Sequence, residues 1–62
     1  MITLKNAAGT KAVNITVQAT GMVSAMYVDI YGDEQQVLQS KDYKTVKAAV
    51  IWAKKLGCIN IF

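Results

Sequence analysis

The stretch Ala12-Val13-Asn14-Ile15-Thr16-Val17-Gln18-Ala19-Thr20 alternates at every step: Val13, Ile15, Val17 and Ala19 against Asn14, Thr16, Gln18 and Thr20. Successive side chains of a strand point to opposite faces, so this period of two reads as a half-buried β-strand. Its β-branched residues suit a pleated surface. The stretch opens an uncharged run of 17 residues that ends at Val28. A membrane-spanning helix needs about 20 predominantly apolar residues. Here polar residues fall at every second position, and Gly21 and Ser24 follow, so the strand reading holds. Exposed sheet edges normally carry charge or proline. A strand without either belongs in the middle of a sheet.

Working outward, Ile2 to Lys5 reads as a short first strand, and Asn6 to Thr10 as a turn in which Gly9 can take positive φ. After the break at Gly21, Ala25 to Tyr31 reads as a third strand. Its apolar face is expected to be Met26, Val28 and Ile30, with Tyr27, Asp29 and Tyr31 opposite. Gly32-Asp33-Glu34 is a turn signal, and Gln35 to Gln39 reads as a fourth strand in which Val37 and Leu38 point opposite ways. A helix over about 45–56 follows, capped by Asp42 or Thr45, with Lys54 and Lys55 in its last turn and Gly57 just beyond. Val46, Ala49, Val50, Ala53 and Leu56 form its core stripe, with Trp52 at the margin.

The last segment, Cys58 to Phe62, is β-prone and uncharged, so it needs a partner. Either the first strand takes it after a helical crossover, or a second copy of the chain takes it in a homodimer. The order of elements gives an α+β fold. It is a two-layer domain: a 3–4 stranded antiparallel sheet covered on one face by a single helix, with a short C-terminal strand. Asn14, Thr16, Gln18, Tyr27, Asp29 and Tyr31 are expected on the uncovered face.

Composition narrows the chemistry. Sixty-two residues allow one small domain, 1–62, and an apolar fraction of 53% excludes disorder. There is no histidine, arginine or proline, and one cysteine, so neither a disulfide framework nor a common zinc site can be assembled. The acids are Asp29, Asp33, Glu34 and Asp42. Asp33 and Glu34 adjoin in a turn, which suits a solvated turn better than acid–base work. Cys58 follows a helix C-terminus, where the dipole disfavours a thiolate, and reads as a small buried apolar residue. No phosphate-binding loop, dinucleotide fingerprint or carboxylate cage is present. The expectation is a non-enzyme without catalytic residues, cofactor or metal. No basic leader precedes an apolar stretch at Met1, so a cytoplasmic protein that engages no membrane is expected. Asn14-Ile15-Thr16 is then two outward strand positions rather than a glycosylation site.

The net charge of +3, carried entirely by lysine on the basic side, favours acidic partners. On the helix, Lys47, Lys54 and Lys55 share the face opposite the core stripe, and Ile51 falls among them. A solvated face would not choose that isoleucine, although single exposed apolar residues are common and it could instead pack on a strand. Tyr27 and Tyr31 share one face of the third strand and could stack on bases, but Asp29 between them would repel phosphate. The absence of arginine counts further against sequence-specific DNA readout.

The spacing from Tyr27 to Gly57, with Tyr43-Lys44-Thr45 leading into an alanine-containing helix, resembles the last two strands and helix of the three-strand-plus-helix domains of the AP2 and integrase N-terminal type. That resemblance implies topology alone. The arginine and tryptophan that those domains place on the sheet to read DNA are missing here. The reading that follows is a small protein-binding module, an inhibitor, adaptor or regulatory protein of the compact kind found in phages and mobile elements. Its contact residues would be Lys47, Ile51, Lys54, Lys55, Tyr27 and Tyr31, and its partner an acidic protein surface. The alternative is a nucleic-acid binder that sets the same lysines against phosphates.

Overall fold

The computed structural model describes residues 1–61. Five strands and one helix follow in chain order: β1 (Ile2–Lys5), β2 (Lys11–Val17), β3 (Val23–Tyr31), β4 (Glu34–Tyr43), α1 (Val46–Lys55) and β5 (Asn60–Ile61). They form an antiparallel sheet of order β4-β3-β2-β1-β5 with α1 packed on one face, the expected two-layer α+β domain. The first six residues of the uncharged run, Ala12 to Val17, lie in the central strand.

Each hairpin turns where the sequence supplies the chemistry for it. Between β1 and β2 the Asn6 Oδ1 accepts from the N–H groups of Thr10 (2.9 Å) and Lys11 (3.2 Å), and Gly9 takes φ +71. Gly32, at φ +59, opens the two-residue loop closed by the Tyr31–Glu34 pair. The β2 strand ends at Val17, three residues short of the alternating pattern. The Gly21 N–H donates to the Gln18 carbonyl at 2.9 Å, which turns Ala19 and Thr20 into loop.

Helix α1 starts at the second of the two capping candidates. Thr45 Oγ1 accepts from the Ala48 N–H at 3.2 Å. At the other end Gly57 takes φ +87, its N–H donates to the Lys54 carbonyl, and the Cys58 N–H donates to the Ala53 carbonyl. This pair of bonds is the Schellman closure that a glycine at this position permits. Cys58 is thereby turned back into the core, fully buried.

The core joins Leu4, Val13, Ile15, Val23 and Ala25 of the sheet to Ala49, Trp52 and Ala53 of the helix. The face of β3 is therefore the reverse of the sequence expectation. Val23, Ala25 and Tyr27 meet the helix, while Met26, Val28 and Ile30 lie on the other face. The physical reason is Trp52. Its ring meets Tyr27 edge-on at 6.5 Å and Tyr43 at 6.1 Å, so it is a core residue resting on two aromatic partners. Two small residues, Ala49 and Ala53, let the helix approach closely enough for that contact.

Boundaries also differ from expectation, and β3 itself starts at Val23 rather than Ala25. Strand β4 runs from Glu34 to Tyr43 rather than from Gln35 to Gln39, because β3 offers a partner along its whole length. The adjacent apolar pair Val37-Leu38 marks a bulge: the register shifts there, and Leu38 has no partner across the strand. The terminal strand covers Asn60–Ile61 and pairs with β1, at Lys5 and Leu4, within the same chain. Phe62, the end of the expected strand, lies outside the described residues.

Candidate binding surface

The outer face of α1 is built by the same periodicity that builds its core face. With Ala49, Trp52 and Ala53 turned to the sheet, positions 47, 51, 54 and 55 are left on the far side. Lys47, Ile51, Lys54 and Lys55 are all exposed, and Ile51 shows 48% of its surface. Spacings of three and four residues make these side chains neighbours along one face. The result is one apolar side chain with a lysine one turn before it and two lysines one turn after it. Lys54 and Lys55 lie in the last turn, where the helix dipole favours cations.

The tyrosines do not form the second half of such a surface. Tyr27 is half-buried beneath the helix against Trp52, and that contact occupies its ring. Tyr31 is 59% exposed near the turn that closes β3 and β4. Its hydroxyl donates to Asp29 Oδ2 at 2.7 Å. That hydrogen bond, with the negative charge beside it, raises the tyrosine's pKa above its ordinary value. Asp29 in turn stands 3.8 Å from the Lys11 ammonium. The Lys11–Asp29–Tyr31 row thus fixes the one exposed tyrosine beside a carboxylate, a poor setting for a phosphate backbone.

One cation was not legible in the sequence as part of any site. Lys41, on β4, holds its ammonium 5.7 Å from the centre of the Trp52 ring. Only the strand register places it there: Lys41 pairs with Ala25, which shares the helix side with Tyr27. Cys58 is buried, and loss of solvent pushes its thiol pKa up, with Lys11 opposing. Its side chain packs within the core that joins the sheet to the helix.

The described residues enclose no pocket. None of their helices is long and apolar enough to cross a membrane. Neither a protein-family model, nor a curated protein, nor a solved structure matches the chain. The candidate site therefore rests on the geometry of this chain alone.

Proposed function

We propose that this chain is a non-enzymatic protein-binding module, and that Lys47, Ile51, Lys54 and Lys55 on the outer face of α1 are its contact residues. The observation that supports this most is Ile51. The fold makes little use of it: the core stripe is complete without it, and it stands half exposed among lysines. An apolar centre inside a charged rim is the arrangement of a protein contact, in which the centre is desolvated and the rim steers. The rim is basic, so the partner offers an acidic surface with an apolar recess. A module of this kind acts by occupying its partner's surface, as inhibitors and adaptors do.

The test compares the wild type with Ile51→Asp. Ile51 is outside the core, so the substitution leaves the melting temperature near wild type. Both proteins are immobilised and exposed to a nuclease-treated lysate of the source cells at low and high salt. The expected result is a protein retained by the wild type, lost with Ile51→Asp and held at high salt. Equal retention by both proteins would remove the helix face from consideration. The same lysines set against phosphates would instead bind a labelled oligonucleotide, with affinity falling steeply as salt rises. Such binding, unchanged by Ile51→Asp, would favour the nucleic-acid alternative.

A further inference from the structure

Strand β4 forms one edge of the sheet, and Glu34 through Asp42 are exposed along its whole length. Its middle, Gln35 to Ser40, carries no charge. This is the kind of edge that natural sheets usually block. The direction of its free backbone groups can be worked out from the neighbouring strands. The Ile30 N–H donates to the Thr10 carbonyl at 2.8 Å, so Ile30 turns its backbone toward β2 and away from β4. Its partner on β4, Gln35, therefore turns its own backbone outward. By alternation along β3, the partners of Val28, Met26 and Ser24 do the same, and these are Val37, Ser40 and Asp42. In a regular strand Gln35 and Ser40, an odd number of residues apart, would point in opposite directions. The bulge at Leu38 adds one residue and brings both to the outer edge.

We infer that β4 pairs antiparallel with β4 of a second copy of this chain, about a twofold axis at Val37, making one continuous sheet across the dimer. In this register Gln35 lies opposite Ser40 of the second copy, both with outward backbone groups, so each pair can exchange hydrogen bonds. Gln36 lies opposite the two bulge residues, Leu38 and Gln39. Glu34 lies opposite Lys41 of the second copy, and symmetry repeats that contact, so the two charges that bracket the uncharged segment become complementary pairs. Glu34 and Lys41 also share a side of the sheet, since their partners Tyr31 and Ala25 do. A second copy is the occupant because Glu34 and Lys41 are opposite in charge and the outward backbone groups of Gln35 and Ser40 meet. The two-residue β5, at the opposite edge, offers no comparable length.

The test is the mass of the full chain by light scattering and sedimentation, from micromolar to millimolar concentration. One short strand per copy buries less than the roughly 800 Å² per partner of a standard interface, so the dimer should dissociate on dilution. Glu34→Lys sets lysine against lysine at both symmetric positions and should weaken dimerisation by roughly tenfold or more. The exchanged double variant, Glu34→Lys with Lys41→Glu, should restore it. Ser40→Pro removes an outward donor, leaves the β3–β4 bonds in place, and should abolish the dimer whatever the charges. Tryptophan fluorescence confirms that each variant is folded. A wild type that stays monomeric at all concentrations overturns the inference. So does a dimer indifferent to Glu34→Lys and Ser40→Pro, or a folded double variant that fails to recover. The helix-face contact is tested with separate variants and a separate ligand, so either reading can fail alone.

Discussion

The two faces of the sheet are both apolar in part, yet they are closed by different means. On the helix side, Leu4, Val13, Ile15, Val23 and Ala25 are buried under α1, and Trp52 spreads between Tyr27 and Tyr43. On the other side, which α1 leaves open, Ala12 is 0% exposed and Val28 1%. Those two residues pair with each other at the centre of the face. Polar side chains gather around them. Thr3 Oγ1 donates to Asn14 Oδ1 at 3.1 Å, and Asn14 Nδ2 donates to Gln35 Oε1 at 3.3 Å. Asn14 lies on β2 and Gln35 on β4, so their bond spans β3, whose residues opposite them are Met26 and Ile30, with Val28 between. On this face polar side chains are thus laid across β3 beside Val28. Apolar character alone does not say which face a helix will take.

The largest expected effect tests the helix-covered face. Trp52→Ala removes the ring on which two tyrosines and Lys41 converge, and should cost about 3–5 kcal/mol. A 62-residue domain has roughly that much stability in total, so loss of the cooperative thermal transition is the expected outcome. A variant that melts near wild type would mean that the aromatic contacts contribute little and that the helix is held by its alanines.

The second effect tests the open face. Val28→Thr keeps the shape of the side chain and adds a hydroxyl in a site without exposed surface. Burying an unpaired hydroxyl costs about 1–3 kcal/mol in proteins. Urea unfolding should show a lower midpoint with an unchanged slope. If the midpoint does not move, water reaches Val28, and the open face is a solvated surface rather than a second small core.

These contrasts also explain how far the sequence could be read. The central position of β2, the Gly57 exit and the outer face of α1 follow from signals within a few residues, so they are legible. The cap stays open between Asp42 and Thr45 until the structure places it at Thr45. The face assignment of β3 is not legible, because Val23, Ala25 and Tyr27 alternate with Met26, Val28 and Ile30. Aliphatic content favours the second set, whereas the fold uses the first. The deciding contact, Trp52 on Tyr27, joins residues far apart in the chain. The bulge at Leu38 is hidden for a related reason: two adjacent apolar residues break the period of two, which shortens the apparent strand instead of revealing an inserted residue. For the candidate site, Lys47, Ile51, Lys54 and Lys55 follow from helical periodicity, while the fate of Tyr27 depends on the face assignment and is lost with it.

The smallest effect concerns how dry the covered face is at its edge, where Cys58 closes the exit of α1. Burial raises its thiol pKa in the fold, and Lys11 offsets that only in part. The folded state therefore keeps the proton to higher pH than the unfolded chain, whose thiol titrates near about 8.5. Below that value both states hold the proton and the group leaves stability unchanged with pH. Above it the unfolded chain gives up the proton first, so stability falls as pH rises, until the folded thiol titrates as well. The melting temperature should accordingly decline on the alkaline side more in the wild type than in Cys58→Ala, whatever the fixed cost of the substitution. Thiol-modifying reagents should react slowly with the native protein at pH 8 and rapidly after urea unfolding. Equal alkaline declines in the two proteins, together with fast modification of the native state, would show that Cys58 is open to water. The helix-covered face would then end at Leu4 and Ala53, one residue layer short of the exit turn.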